Sequence, residues 1–241
     1  MNELLKLIEE RHSARFPFDC SRVIAQEDLL QILEAARWSP TAHNMQNFEI
    51  VIVDDRKLLD EIGTIPVPLS EEFLQEHWQL LSFSEEELRR KGFGLLAGML
   101  PPWMRDPARK DEVGERIWLQ HLIPACPVLM IALHDATKRA PASQGDVLGM
   151  MSLGCVLQNM WLMAQSLGLG FQVLSVLSGP PVEQAVQKLL AVPGCMKVGF
   201  AVRLGHPATS VPYPRVRREV AEFAHWNHFG GKPTGAEVPS I

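Results

Sequence analysis

The feature that most constrains the fold is a long stretch without formal charge, which runs from Val147 to Val182. Its first part, Val147 to Leu169, has the length of a membrane span, which needs about 20 apolar residues. Polar side chains within it would lack partners in lipid (Ser152, Gln158, Asn159, Gln165 and Ser166). It ends in Gly168-Leu169-Gly170, a helix-stop signal, and runs into a strand-like FQVLSVL segment. We therefore expect a soluble protein with a central helix buried on every side, and a second subunit is the simplest source of that burial.

Composition and charge place the chain among acidic globular proteins. The 241 residues include 23 Lys+Arg and 28 Asp+Glu, a formal net charge of −5, and 46% hydrophobic residues. This apolar content excludes disorder as the main state, and the lack of a basic surplus argues against a dedicated nucleic-acid binder. Four sparse cysteines (Cys20, Cys126, Cys155 and Cys195) and an N-terminus without an apolar signal core predict a reduced, cytoplasmic protein.

The order of predicted elements indicates an α/β or α+β domain, because strands alternate with helices. Apolar spacing and capping residues predict helices from Asn2 to Glu10, from Gln26 to just before Ser39-Pro40, and from Pro181 to Leu190. Strands are predicted at Phe48–Val53, Pro127–Leu133, Gln172–Leu177 and Met196–Leu204, and the first is apolar enough to be central. Two further helices are predicted at 70–80 and 84–99.

Several motifs that could carry chemistry are weak. Gly92-Phe93-Gly94 with Gly98 follows a charged helix and lacks dinucleotide-binding spacing. Glu222, His225 and His228 would share one face of a helix, but no further ligand is visible nearby, so we expect no metal site. No G-x-S-x-G elbow is present, and Cys155 lies in the predicted buried helix, where thiols are normally inert.

The informative cluster is Arg11-His12-Ser13-Ala14-Arg15, just after the first helix. Its two guanidiniums and the hydroxyl between them could converge on one phosphate, or they could simply cap the helix C-terminus. A second basic group, Arg215, Arg217 and Arg218, follows the last predicted strand. The loop Ser39–Gln46 is rich in hydrogen-bonding side chains and suits a planar polar ligand. Together these segments favour an anionic, partly planar ligand.

These segments, in this order, resemble the FMN-dependent nitroreductase family. The resemblance rests on RHSAR, ILEAARWSPTAHNMQNFEIVIVDD, LGCVLQNMWLMAQSLGLG and KVGFAVRLGHP…PRVRR, and covers about residues 1–55 and 125–230. It implies an α+β fold with a mixed central sheet flanked by helices and a long buried interface helix. It also implies an intertwined homodimer with FMN at the subunit boundary. The chain would be a single FMN-binding domain over residues 1–241, with 64–120 as a variable insertion on the substrate face.

The resemblance also implies three groups of FMN-binding residues. Arg11, His12, Ser13 and Arg15 would hold the phosphate and ribityl chain, and Arg215 and Arg217 would complete the phosphate site. A loop from the partner subunit would reach the flavin through Pro40, Thr41, Ala42 and Asn44. Backbone N–H groups of Leu174, Ser175 and Val176 would address the flavin N5 and O4 edge. This chain departs from the family where Asn47-Phe48 replaces a Pro-Trp pair and where Leu174-Ser175-Val176 replaces a Gly-rich loop.

The function implied is an oxidoreductase in which NAD(P)H, a transient reductant, passes hydride through flavin N5 to a nitroaromatic, a quinone or a similar acceptor. No catalytic side chain is required, because the flavin carries the chemistry. One alternative is dedicated flavin chemistry, namely dehalogenation, flavin fragmentation or dehydrogenation, beneath a lid of residues 64–120 lined by Trp78, Trp103 and Trp118. The other is a non-catalytic FMN-binding or storage module, favoured only by Val176 at the flavin edge.

Overall fold

The structure of the protein is a computed structural model, and the chain divides into two units. One unit comprises Met1–Ser70 and Asp106–Val211; the other comprises Glu71–Arg105 and Pro212–Ile241. The structure describes residues 2–15, 17–68, 86, 90, 119, 122–143, 145–208, 217 and 219–232. The helices predicted at 70–80 and 84–99, the Gly92 cluster, Trp78, Trp103 and Trp118 lie outside the described residues, except that Glu86 and Arg90 are helical.

The described part of the first unit is an α+β fold. Its helices are α1 (Glu3–Glu10), α2 (Gln26–Arg37), α3 (Arg56–Gly63), α4 (Val147–Ser166) and α5 (Pro180–Leu189). Its strands are β1 (Phe48–Val53), β2 (Val128–Asp135), β3 (Gly170–Leu174) and β4 (Met196–Gly205), and two 3₁₀ turns cover Ala42–Asn44 and Ser175–Ser178. These bounds confirm the predicted elements to within a few residues, apart from the strand at 172–177, which ends at Leu174.

Local side-chain hydrogen bonds mark the start of α1 and the end of α2. The Asn2 side chain accepts a hydrogen bond from Leu4 N at 2.8 Å, which satisfies one N-terminal donor of α1. At the end of α2, Arg37 and Trp38 both donate to the Glu34 carboxylate, and these bonds lower the pKa of Glu34 to about 2. Pro40 follows, so the helix stops and the chain turns toward β1.

The sheet has the order β1-β2-β4-β3, and each neighbouring pair is antiparallel. Two expectations need correction for these four strands: the sheet is not mixed, and β1 lies at an edge rather than in the centre. The sequence of a strand does not encode its direction, and a helix between two strands does not oblige them to run parallel. The apolar run in β1 reflects partial burial against the two core clusters, whereas its edge position depends on the pairing of the whole sheet.

The core lies on both faces of this sheet. Along β2, which is buried throughout, Leu129, Ile131 and Leu133 belong to one cluster, with residues from α3 and α5. The alternating residues Val128, Met130 and Ala132 belong to the other cluster, with residues from α2 and α4. Since successive side chains of a strand point to opposite faces, the continuous apolar run in β2 supplies both layers.

Helix α4 confirms the predicted uncharged helix. Gly168 follows it with φ +69°, the left-handed conformation that commonly ends helices. Leu153, Val156, Met160 and Ala164 bury one side of α4 against the sheet and α2. The first two turns expose apolar side chains within the chain: Val147 at 58%, Met150 at 44% and Met151 at 63%. By length and composition α4 could cross a membrane, but its packed face makes it a core helix with another face uncovered.

The predicted histidine motif does not form on a helix. Helix α6 (Val220–Phe223), in the second unit, ends before His225, and the His225 ring packs on Phe229 with centroids 4.3 Å apart. Glu222, His225 and His228 therefore do not share a helix face, because the helix is too short. Among the residues that the structure describes, no group of three or more His, Cys, Asp or Glu could hold a metal ion.

Candidate functional site

The RHSAR segment is held to the protein by its backbone. Helix α1 ends where Arg11 turns extended (φ −60°, ψ 129°). The Trp161 indole N–H donates to His12 O at 3.1 Å, and Ala14 N donates to Phe171 O at 2.9 Å. Ala14 is buried, whereas Arg11, His12, Ser13 and Arg15 remain half-buried. The fold thus fixes the backbone while the predicted binding side chains keep partial access to solvent.

Arg11 forms a stack with two aromatic side chains, Trp161 and Phe171. The Arg11 guanidinium carbon lies 4.4 Å from the centre of the Trp161 ring, which is within the range of a cation–π contact. The Trp161 ring also stacks on the Phe171 ring, with centroids 5.2 Å apart and planes inclined by 22°. Helix α4 and strand β3 each contribute one ring, so the position of Arg11 depends on the packing of both.

Arg203 reinforces the same segment from inside the protein. It is 1% exposed, and it donates to Gln172 Oε1 at 2.6 Å and to Ala14 O at 3.3 Å. Its guanidinium also lies over the Phe18 ring at 4.6 Å. Burial raises the pKa of the nearby Cys126 thiol to about 12, although the positive charge of Arg203 opposes that rise. Cys126 therefore stays protonated and is not a nucleophile.

The loop from Ser39 to Gln46 is fixed at two points by α4. Asn159 Nδ2 donates to Ser39 Oγ at 2.9 Å, and Ala42 N donates to Ser152 Oγ at 3.0 Å. Ser152 Oγ in turn donates to Leu148 O at 2.7 Å, and both serines are buried. These bonds set the path of the chain through Pro40 and Thr41.

The same loop has an unusual backbone. His43, Asn44 and Gln46 all have positive φ values, between 47° and 52°. Left-handed backbone outside glycine costs energy and often marks binding loops. Thr41 Oγ1 helps to hold this conformation, because it accepts a hydrogen bond from Gln46 N at 3.1 Å. The predicted residues Thr41, Ala42 and Asn44 thus lie in one ordered turn.

The Leu174-Ser175-Val176 segment lies where β3 ends and a 3₁₀ turn begins. Leu174 is the last residue of β3, and Ser175 and Val176 open the turn Ser175–Ser178. The first N–H groups of a helical turn are not used by its own hydrogen bonds. Ser178 Oγ donates to Ser175 O at 2.6 Å, which fixes the turn. The 3₁₀ turn therefore begins with backbone N–H groups of Ser175 and Val176 that its own hydrogen bonds do not use.

The predicted binding residues lie at separate positions along strand β3 and helix α4. Residues 11–15 contact the start of β3, whereas Ser175 follows its end; four residues of strand span about 13 Å. On α4, Trp161 contacts the RHSAR segment and Ser152 contacts the loop; nine helical residues span about 13.5 Å. Arg217 lies in the second unit, and Arg215 lies outside the described residues.

Residues 8–206 match the nitroreductase family, a span that includes the RHSAR segment, the Ser39–Gln46 loop and the end of β3. The chain belongs to the nitroreductase family. An Archaeoglobus fulgidus protein, provisionally named NADH dehydrogenase/NAD(P)H nitroreductase, is 40% identical over 63 residues. That match covers 26% of this chain and about a third, 35%, of the relative.

Solved structures of nitroreductases share the fold of this nitroreductase-family chain. An FMN-dependent nitroreductase from Clostridium difficile R20291 superposes with a TM-score of 0.61 at 17% identity, and covers 93% of this chain and 99% of its own. A nitroreductase with bound FMN from Desulfitobacterium hafniense DCB-2 gives a TM-score of 0.56 at 24% identity, with 90% and 95% covered. Likeness over nearly the whole of each chain establishes the α+β nitroreductase-like fold.

Three residues that support the candidate site in this nitroreductase-family chain were not predicted: Trp161, Arg203 and Ser152. The sequence pattern identifies Trp161 and Ser152 only as members of the uncharged helix, and Arg203 only as part of a strand. A polar or amphipathic side chain within an otherwise apolar element is the signal that could have marked all three.

Proposed function

We propose that this chain is an FMN-dependent NAD(P)H oxidoreductase. The observation that carries the proposal is the layout of β3. A basic, half-buried segment is pinned at one end of the strand, and backbone N–H donors open a turn at the other end, about 13 Å away along the strand. An extended ligand with a phosphate at one end and a hydrogen-bonding ring edge at the other fits this spacing, and FMN has that form.

Different residues would bind different parts of the cofactor. Arg11, Ser13 and Arg15 would bind the phosphate through charge-assisted hydrogen bonds, with His12 beside the ribityl chain and Arg215 and Arg217 completing the site. Leu174, Ser175 and Val176 would place backbone donors at the flavin N5 and O4 edge. Such donors stabilise negative charge that develops on the ring, so the protein tunes the flavin without a catalytic side chain.

The loop containing Pro40, Thr41, Ala42 and Asn44 would come from the partner subunit of a homodimer. Within one chain, α4 holds this loop about 13.5 Å along its axis from the contact with the RHSAR segment. A loop at this distance does not share the contacts of the RHSAR segment, and the family resemblance assigns it to the partner subunit's cofactor. The uncovered apolar residues of α4 supply a surface for such a dimer.

When bound, FMN would accept hydride from NAD(P)H and deliver it to an electron-poor acceptor such as a nitroaromatic or a quinone. The protein would orient the ring through the Ser175 and Val176 amides and would anchor the phosphate through its arginines. A cytoplasmic location, where NAD(P)H is available, is part of the proposal.

The test is a visible absorption spectrum of the purified chain, followed by anaerobic addition of NADPH and then NADH. We expect a flavin band that bleaches on reduction and returns when a nitroaromatic or quinone is added. A flavin band that persists with both nicotinamides would favour the storage alternative. Bleaching without reoxidation by such acceptors would favour dedicated flavin chemistry, and failure to retain added FMN would contradict the proposal.

A further inference from the structure

We infer that His43 is a catalytic residue, the proton donor to a quinone that takes a hydride at the flavin. The inference deepens the proposed function and rests on it, because it requires the Ser39–Gln46 loop to contact the flavin ring. It selects quinones as the acceptor class, since their reduction needs a proton in addition to the hydride.

The backbone at His43 is strained and is held in that state by its neighbours. His43 lies in the left-handed region, at φ 52° and ψ 24°, in the middle of a 3₁₀ turn. The preceding amide, Ala42 N, donates to Ser152 Oγ at 3.0 Å. The following amide, Asn44 N, donates to Thr41 O at 2.9 Å. Strain that the surroundings maintain in this way clusters at functional sites.

The imidazole of His43 is not used to hold the loop. It is exposed, and within the described ranges it makes no hydrogen bond, ion pair or ring contact. Neighbouring polar side chains do hold the turn: Thr41 Oγ1 accepts from Gln46 N at 3.1 Å, and Gln46 Nε2 donates to Asn44 Oδ1 at 3.1 Å. Both ring nitrogens of His43 are therefore available to a ligand.

The segments proposed to contact the flavin ring contain only one side chain that exchanges protons near neutral pH. Residues 39–47 include no Asp, Glu, Lys or Arg, and His43 is their single histidine. Residues 147–182, which include the turn after β3, carry no formal charge and no histidine. Histidine changes its charge around neutral pH and is the commonest general acid in enzymes. His43 is thus the donor that these segments can supply.

A proton from His43 would balance the reduction of a quinone. Hydride transfer itself needs no side chain, but a quinone that gains a hydride on one carbonyl oxygen becomes a hydroquinone monoanion. The N–H bond of the protonated imidazole would break as the second oxygen gains that proton, which leaves a hydroquinone and a neutral imidazole. Water then returns a proton to the imidazole, and NAD(P)H supplies the two electrons through the flavin.

The experiment follows reoxidation of the reduced, full-length holoprotein by stopped-flow absorbance, with duroquinone or ferricyanide as the acceptor. Duroquinone takes a hydride and a proton, whereas ferricyanide takes one electron and no proton. His43→Asn removes the imidazole but keeps a residue that tolerates the left-handed conformation. His43→Gly also suits that conformation and leaves space for added imidazole. Glu49→Gln is the matched control, because Glu49 is exposed on the strand that follows the loop.

We expect His43→Asn to slow reoxidation by duroquinone about tenfold, less than a general acid usually contributes because water can reach an exposed donor. Reoxidation by ferricyanide, bleaching by NADPH and FMN affinity in a fluorescence titration should stay unchanged. Added imidazole should restore the duroquinone rate of His43→Gly, which keeps the test valid if His43→Asn folds poorly. Glu49→Gln should match the wild type with both acceptors.

Chemical labelling tests the position of His43 without measuring activity. Diethyl pyrocarbonate modifies exposed imidazoles, and peptide mass spectrometry measures the extent of modification at His43. We expect rapid labelling of the protein without flavin and protection when FMN and durohydroquinone are bound, with a histidine peptide in the same solution as the reference. Equal labelling in the two states would show that His43 does not face the bound flavin and would overturn the inference.

Contrary kinetic results have distinct meanings. If neither His43 variant slows reoxidation by duroquinone, His43 is not the proton donor, and the proposed function stands because the flavin is still reduced and reoxidised. If the duroquinone and ferricyanide rates fall together, His43 affects access to the flavin, and the inference is wrong. If the wild type retains no FMN, or neither nicotinamide reduces it, the proposed function itself fails.

Discussion

Ser152 illustrates how one buried hydroxyl can set a binding loop. It accepts the hydrogen bond from Ala42 N and donates to Leu148 O, so both of its roles are filled within the first unit. Ser152→Ala would leave the half-buried Ala42 amide without this acceptor, and the loss of such a hydrogen bond typically costs about 1 kcal/mol. We expect lower stability, measured by urea unfolding, and also a severalfold loss of FMN affinity, because the loop is proposed to contact the flavin.

Ser166→Ala is the control for that prediction. Ser166 lies on the same helix, is exposed, and bonds only locally to Met163. Its replacement should change stability by less than about 0.5 kcal/mol and leave FMN affinity intact. Equal losses in the two variants would show that α4 is sensitive to any serine removal and that the Ala42 contact has no special role.

The cysteines give a second prediction at the residue scale. Burial raises the pKa of Cys126 to about 12, whereas Cys20 and Cys195 are exposed within the chain. Thiol alkylation requires the thiolate, so Cys126 should resist iodoacetamide in the native protein at pH 8 and react after unfolding in urea. Peptide mass spectrometry measures each site. Rapid native labelling of Cys126 would contradict its burial.

The sequence indicates the candidate binding side chains more readily than the groups that hold them. Arg11, Ser13 and Arg15 are recognisable as a basic, hydroxyl-containing segment, and the structure leaves them partly accessible. The support given by Trp161 and Arg203 is not recognisable in that way, because it depends on contacts across about 150 or more residues of sequence. Local patterns report chemistry and periodicity, whereas such contacts follow from the three-dimensional packing.

At the scale of elements, two glycines allow the strands to pack closely against Phe18. Gly170 and Gly205 are paired across β3 and β4, and a Cβ on Gly205 would lie 2.6 Å from Phe18 Cβ and Cγ. Gly205→Ala should therefore destabilise the fold by about 1–3 kcal/mol in urea unfolding, since overpacking shifts the ring or the strand. Gly194→Ala, where a Cβ meets nothing within 4 Å, should change stability by less than about 0.5 kcal/mol. Similar losses for both variants would argue against close packing at Phe18.

Most helices and strands were predictable because their signals are local. Asn2, Pro40 and Gly168 mark helix boundaries that the structure confirms. The strand expected at Gln172–Leu177 was wrong at its end, because Ser175–Val176 continues an apolar run but turns into a 3₁₀ helix. The central position expected for β1 was also wrong within the described sheet, since strand order is a property of the whole fold.

At the scale of the whole molecule, the uncharged stretch is the strongest sequence signal for the fold. The structure shows that one face of its helix, α4, is buried in the core. Helix α4 buries Leu153, Val156 and Met160 in the core, as an apolar helix requires. The other side includes Val147, Met150 and Met151, which stay exposed in the single chain. A face of this kind in a chain with a net charge of −5 favours association between two copies of the chain.

A charge placed on this exposed face of α4 should prevent dimer formation. Met151 is 63% exposed in the single chain, so Met151→Arg should hardly affect the folding of one subunit. In a dimer built on α4, however, the introduced charge would be buried, which is costly. We expect sedimentation velocity to show a monomer, and FMN retention to fall with the dimer because the Pro40–Asn44 loop is proposed to serve the partner's cofactor. Val23→Arg, at an apolar position that is 86% exposed and lies before α2, should remain dimeric and retain FMN. A Met151→Arg protein that stays dimeric would place the interface elsewhere, and a monomer that retains FMN fully would show that one chain completes the flavin site alone.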